Sequence, residues 1–276
     1  MSLITSQNAW NEAERHARRI SALDTAEIIE RVLGNDLTEL AREMDAAHLP
    51  PGTKRAFRYL LKNKPTKAEL TESAWSQSVP RNLVFVAIAH EFDNEKDSEA
   101  GAIQQSSASL VISRANRNRD VLLLEGSVAG VLNEGSFIRQ LRESDRIIGG
   151  QSLTWAGYSR MTADVLKENS LFDLALSSHW PAAGIEHLWI NLLCQYAFIV
   201  EESKPIGTSI PIAYLLVELR NRIALACAAD PQLKSKRPVI AMGALHAVGI
   251  KEAAVRAGAR LEMWVPDPLV PFLGIE

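Results

Sequence analysis

The sequence is short of the residues that build disulfide or zinc scaffolds: its 276 residues hold two cysteines, Cys194 and Cys227. Both fall in apolar helical patterns and no C-x-x-C spacing occurs. Neither a disulfide framework nor a zinc ribbon is indicated, and the thiols read as core residues. Excess positive charge is also missing. A formal charge of −3 and a pI near 6.1 supply no field to hold a phosphate backbone, which argues against a nucleic-acid partner. No apolar run is long enough to span a bilayer; the longest, from Leu188 to Val200, is stopped by Glu201-Glu202-Ser203-Lys204-Pro205 and reads as a buried helix. The first residues lack a basic patch followed by an apolar stretch, so no secretory signal is read and a soluble, reducing, cytoplasmic setting is expected. The motifs G-x-x-x-x-G-K-[ST], G-x-G-x-x-G, H-E-x-x-H and G-x-S-x-G are all missing, which withdraws support from nucleotide and serine-nucleophile chemistry.

What remains is the composition of a globular protein. With 47% hydrophobic residues and a mean hydropathy of −0.04, the chain can bury a full core, and it carries no low-complexity linker. Residues from about 8 to 75 are amphipathic and helical in pattern, punctuated by Pro50-Pro51-Gly52 and Lys64-Pro65. Residues 1–80 are therefore expected to form a helical subdomain or lid with little chemistry, with His16 on a charged face and His48 beside a proline turn. Residues 81–276 change to an α/β pattern: strand 83–89, helix 98–116 and strand 121–124 form one βαβ unit. Less regular stretches at 145–150 and 182–187 precede the helix 188–201. Pro211 opens a helix to about Ala229, followed by strand 238–243, helix 249–257 closed by Gly258, and strand 260–265.

Parallel sheets bind ligands in the crevice beyond the carboxyl ends of their strands, so residues at those ends are the candidates. Leu83-Val-Phe-Val-Ala-Ile-Ala-His90 and Pro238-Val-Ile-Ala-Met-Gly-Ala-Leu-His246 are apolar strands that run into a histidine. An imidazole there serves as metal ligand or general base, as it equally serves as a structural cap. Val121-Leu-Leu-Leu-Glu125-Gly126 runs into a carboxylate, which is costly to bury unless paired or bound to metal. Arg220 lies on the apolar stripe of its helix with Ala213, Leu216, Val217, Ala224 and Cys227, and needs an acidic partner or an anionic substrate group. Arg222, four residues after Glu218, reads as a surface pair. Glu186, in Gly184-Ile-Glu186-His187, is a weaker strand-end candidate. Two histidines, one or two carboxylates and an arginine make up either a two-His-one-carboxylate metal centre, from His90, Glu125 and His246, or a metal-free hydrolytic site.

These segments, in this order, resemble the Tiki, TraB, erythromycin-esterase and ChaN group. Ala87-Ile-Ala-His90 stands for a first Gly-x-x-His, with Ala87 in place of its glycine, and Gly243-Ala-Leu-His246 for the second. Leu124-Glu125-Gly126 matches the acidic strand end, Glu218-Leu-Arg220-Asn221 the Arg-Asn helix, and Gly184-Ile-Glu186 the mid-chain Gly-x-Asp/Glu. The resemblance covers residues 82–266 and implies an α/β fold of two related βαβ-containing halves around a central cleft, beside the amino-terminal helices. It implies a hydrolase acting on a small-molecule or peptide substrate, with water activated by a histidine or by a divalent Mn, Co, Fe or Zn ion, and with Arg220 steadying the oxyanion or orienting a carboxylate. Haem-like ligand binding without turnover, or a toxin or effector role, are the alternatives on the same scaffold.

Overall fold

The computed structural model describes residues 7–34, 79–89, 91–92, 99–116, 119–124, 132–133, 155–157, 212–229 and 233–273, with isolated positions between them. Two amphipathic helices come first, α1 (Gln7–Ser21) and α2 (Thr25–Gly34). Asp24 caps α2, its Oδ1 accepting the Glu27 amide at 2.6 Å, one of the donors that a helix start leaves without an intrahelical partner. Strand β1 (Asn82–Ile88) leads, past the short β2 (Glu91–Phe92), into α3 (Glu99–Arg114) and then β3 (Asp120–Leu124). After the short strands β4 (Leu132–Asn133) and β5 (Trp155–Gly157) come α4 (Ile212–Ala228), β6 (Arg237–Gly243), α5 (His246–Arg256) and β7 (Arg260–Trp264). A 3-10 turn (Asp267–Leu269) and one last helical turn, α6 (Val270–Leu273), follow. No helix among the described residues is long and apolar enough to cross a membrane.

Strands β1, β3, β5, β6 and β7 form one sheet in the order β5-β3-β6-β1-β7 with each adjacent pair parallel, while β2 and β4 pair separately and antiparallel. The apolar runs read from the sequence therefore do become parallel strands, with bounds within a residue of those expected. Residues 83–88 of β1 are all buried because both faces of the sheet are covered. Alternation along the strand divides them: Leu83, Phe85 and Ala87 pack with α1, α2, α4 and α5, while Val84, Val86 and Ile88 pack with Ala108 and Val111 of α3. Each large side chain so enclosed contributes about 1.5–3 kcal/mol relative to exposure.

The two βαβ units are interleaved. β6 lies between β1 and β3, and β1 lies between β6 and β7. The two crossovers run in opposite directions across the sheet, and right-handed connections must then place α3 and α5 on opposite faces, as observed. The chain thus leaves β1 toward one face and β6 toward the other. In parallel α/β sheets, the carboxyl ends of adjacent strands whose connections part in this way are where ligands commonly bind.

The amino-terminal helices pack on α4 and α5 and share their core: Ile20, Ile28, Ile29 and Val32 are fully buried with Leu216, Leu219 and Ile250, and Trp10 stacks on Phe272 at 6.0 Å. His16 departs from the expected charged face. It is 2% exposed, because Trp10, Ala13, His16 and Ile20 follow one another at three- and four-residue steps along a single stripe of α1. Its ring stacks on Tyr214 at 4.7 Å and its Nε2 lies 3.5 Å from Glu12 Oε1. Burial pushes its pKa below 6.5, against a smaller opposing pull from Glu12.

Candidate functional site

The register of β1, β6 and β3 brings three carboxyl ends together. Ile88 of β1 is opposite Gly243 of β6, and the Ala244 amide donates to the Ile88 carbonyl at 2.8 Å. On the other side of β6, Leu124 of β3 is opposite Ala241. Of the residues expected there, His246 and Arg220 are described; His90, Glu125 and Glu186 lie outside the described residues. Two side chains of α3 hold the approach. Gln104 Nε2 donates to the Ala89 carbonyl at 2.8 Å, Gln104 Oε1 accepts the Phe137 amide at 3.1 Å, and Ser107 Oγ donates to the Ala87 carbonyl at 2.7 Å. The peptide leading out of β1 is therefore fixed by buried hydrogen bonds. The methyl of Ala87 is itself fully buried in the face that packs on α4 and α5.

His246 is not the end of a strand. β6 stops at Gly243, a turn closed by the Ala247 amide on the Ala244 carbonyl at 3.0 Å follows, and His246 is the first residue of α5. The helix starts three residues before the expected 249 because this turn already directs the backbone into it. Gly249 consequently lies one turn inside α5, where it serves a contact and not a helix start.

That contact is with α4. His246, 3% exposed, places Nδ1 2.7 Å from Asn221 Oδ1; Asn221 Nδ2 donates to Glu218 Oε2 at 3.2 Å; Glu218 Oε1 accepts Arg222 Nε at 3.0 Å. Arg222 then donates through Nη1 to Thr25 Oγ1 at 2.7 Å and through Nη2 to the Leu23 carbonyl at 2.6 Å, on the link between α1 and α2. A Cβ on Gly249 would fall inside contact distance of Asn221 Nδ2 and 2.8 Å from Glu218 Oε2, so only glycine lets α5 approach α4 this closely. The Glu218–Arg222 pair is thus buried, with side-chain exposures of 4% and 16%, where the sequence pattern gave a surface pair. The amino-terminal helices cover it. Burial pushes the Glu218 carboxyl up, against the pull of Arg222 and the Asn221 hydrogen bond.

The network fixes a tautomer. Glu218, ion-paired to Arg222, is the acceptor, so Asn221 turns its amide nitrogen to Glu218 and its carbonyl oxygen to His246. His246 Nδ1 then carries the proton, and in the neutral ring the lone pair falls on Nε2. This is the form in which histidine acts as base or metal ligand, oriented as the asparagine or carboxylate partner does in histidine-dependent enzymes and metal sites.

Arg220, one residue before Asn221, is 4% exposed, and burial lowers its pKa to about 9. It stays cationic at neutral pH in a setting where charge acts more strongly than in water. The inward orientation read from the apolar stripe holds: Ala213, Leu216, Val217 and Ala224 are all buried with it. Asn221, Glu218, Arg222 and Gly249 are the members that residue-by-residue reading missed as a unit. Their signal is an E-x-x-N-R run inside an apolar helix, facing a glycine one turn after a histidine. Among the described residues no three His, Cys, Asp or Glu side chains cluster as a metal site.

No protein-family model, curated protein or solved structure matches this chain.

Proposed function

We propose that the crevice at the carboxyl ends of β1 and β6 is the active site of a hydrolase of the Tiki and erythromycin-esterase type, acting on an ester or amide bond of a small-molecule or peptide substrate. The observation that supports it most is the buried His246–Asn221–Glu218–Arg222 chain, which presents His246 with its lone pair on Nε2. A histidine held in one tautomer by a buried partner takes a proton from water without reorienting, which is what general-base catalysis needs. On this reading the two βαβ units are the related halves and the crevice is the cleft. Arg220 balances negative charge that develops on the attacked carbonyl oxygen.

His90 and Glu125, whose chain positions follow β1 and β3, would complete the set, with Glu186 as the remaining acid. Together with His246 Nε2 they would hold a divalent ion, Mn, Co, Fe or Zn, and the oriented Nδ1–H of His246 suits such a ligand. A bound ion would supply Lewis acidity and a bound water of lowered pKa. The test is turnover of an ester, lactone and peptide panel, with metal analysis of the same preparation. His246→Ala is expected to abolish turnover and Asn221→Ala to lower kcat about 10–100-fold through the misoriented imidazole. Undiminished turnover in both variants refutes the site, as does a panel without turnover on protein that carries no stoichiometric metal.

A further inference from the structure

A groove of about 920 Å³ runs along the amino-terminal edge of the sheet, opposite the crevice just described. Its walls are the starts of β1, β3, β6 and β7 and the turn after α4, and six cations line it: Arg81, Arg119, Lys234, Lys236, Arg237 and Arg260. Two carboxylates oppose them. The buried Asp120 takes Arg237 Nε at 2.9 Å and Nη2 at 3.1 Å, and Arg119 Nε at 2.9 Å; Glu262, in the groove wall, takes Arg237 Nη1 at 2.8 Å. These contacts occupy Arg119 and Arg237. Arg81, Lys234 and Arg260 are exposed at the rim and make no ion pair among the described residues.

The backbone beneath two of the rim cations and the Arg237 side chain are held by hydrogen bonds. The Arg260 amide donates to the Arg81 carbonyl at 2.7 Å, which sets two rim cations on neighbouring strands, and Arg237 is clamped between Asp120 and Glu262 with its guanidinium 5.7 Å from the Trp264 ring centroid. Lys234 and Lys236 also face the carboxyl end of α4, but that dipole amounts to only about half a charge. Three uncompensated cations around one concavity repel one another, in a chain whose formal net charge is −3, and an anion turns that repulsion into attraction. The volume suits a metabolite-sized ligand, and Val79, Leu233 and Pro238 give its organic part an apolar wall. Three rim cations are too short a footprint for a nucleic-acid backbone.

We infer that this groove binds a small, multiply phosphorylated organic molecule, with its phosphates on Arg81, Lys234 and Arg260 and its organic part against the apolar wall. The site is independent of the hydrolase reading, since it occupies the other edge of the sheet.

The test is calorimetric titration of the full chain with ATP, a sugar bisphosphate and tripolyphosphate, at low and physiological salt. At least one of the two organic ligands saturates a single site, binds more tightly than tripolyphosphate, and weakens as salt rises. The triple variant Arg81→Ala, Lys234→Ala, Arg260→Ala binds that ligand at least about tenfold more weakly, one such charged contact alone being worth about a factor of ten. Because these side chains are exposed, the variant keeps the wild-type circular dichroism spectrum; should it misfold, Lys234→Ala alone carries the comparison. No saturable binding, equal binding by the variant, or tighter binding of a single-stranded oligonucleotide or of anionic lipid vesicles than of the small ligands overturns the inference.

Discussion

Replacing Gly249 by alanine sets two well-defined effects against each other. In an exposed helix interior the change gains about 1 kcal/mol from helix propensity. Here the added methyl meets Asn221 Nδ2 inside contact distance, with Glu218 Oε2 at 2.8 Å and Asn221 Cγ at 3.3 Å, so α4 and α5 must separate or Asn221 must leave His246. Overpacking of this kind costs about 1–3 kcal/mol. Uncoupling a buried hydrogen-bonding group adds about 1–3 kcal/mol more. The net expectation is a loss of about 3 kcal/mol, which at this chain length lowers Tm by about 6 °C or more. Gly34 and Gly258 are internal controls, because a Cβ at either meets nothing within 4 Å. Gly34→Ala should stay within about 0.5 kcal/mol of wild type. Gly258, at φ 63°, closes α5 with its own amide on the Val255 carbonyl and the Ala259 amide on the Ala254 carbonyl, so Gly258→Ala pays conformational strain alone, about 1 kcal/mol. Calorimetry and urea denaturation of the three variants give the order, with m unchanged. Asn221→Ala in the Gly249→Ala background should recover part of the loss, since it removes the nearer clash. A Gly249→Ala protein as stable as wild type refutes the close approach and, with it, the fixed tautomer of His246.

Three further outcomes follow from the same geometry. Arg222→Ala leaves the buried Glu218 carboxylate without its ion pair and should cost about 3 kcal/mol in urea denaturation, whereas Arg31→Ala, which breaks an exposed pair with Glu27, should cost less than about 0.5 kcal/mol. Burial alone would raise the Asp120 pKa, but hydrogen bonds from Arg237, Arg119 and the Asn116 amide hold it down to about 2 from 3.8. A depressed folded-state pKa stabilises above the unfolded value, so about 2 kcal/mol is present above pH ~4 and lost as pH falls toward 2; an Asp120→Asn variant that keeps the wild-type slope of stability over that range contradicts this. His16 is lowered below 6.5 by burial, so the unfolded chain binds the proton first and stability declines as pH drops below about 6.5; His16→Phe should flatten Tm against pH between about 7 and 5.

Much of the fold was legible because its signal is local. Runs such as Leu83 to Ala89 and Val239 to Met242 are apolar throughout, and only strands buried on both faces by helices tolerate that in a sheet. Period and turn residues then give the elements, including Gly258 at the end of α5. Strand order is a different matter. Nothing in the sequence says that β6 enters between β1 and β3, because that choice is made by packing between segments more than a hundred residues apart. The misread helices have the same origin: His16 and the Glu218–Arg222 pair look solvent-facing beside their charged neighbours, and are buried because α1 and α2 cover α4.

The site divides along the same line. That His246 follows a buried strand and that Arg220 sits on an apolar stripe are statements about single elements, and both could be read directly. What makes His246 chemically specific is not local. Its tautomer depends on which end of Asn221 faces it, that depends on Glu218 being an acceptor, and Glu218 stays an acceptor because Arg222 holds it from a position anchored to Leu23 and Thr25. The link from the amino-terminal helices to the candidate base runs through these side chains, so those helices act on the site as a buttress. An Asn221→Asp variant separates the two halves of that argument. A carboxylate still orients Nδ1–H of His246 but faces Glu218 with like charge, so the imidazole tautomer seen by 15N NMR should persist while stability falls by about 2 kcal/mol or more. Loss of the tautomer without loss of stability would instead make Asn221 a hydrogen-bond donor to His246 and reverse the direction of the whole chain.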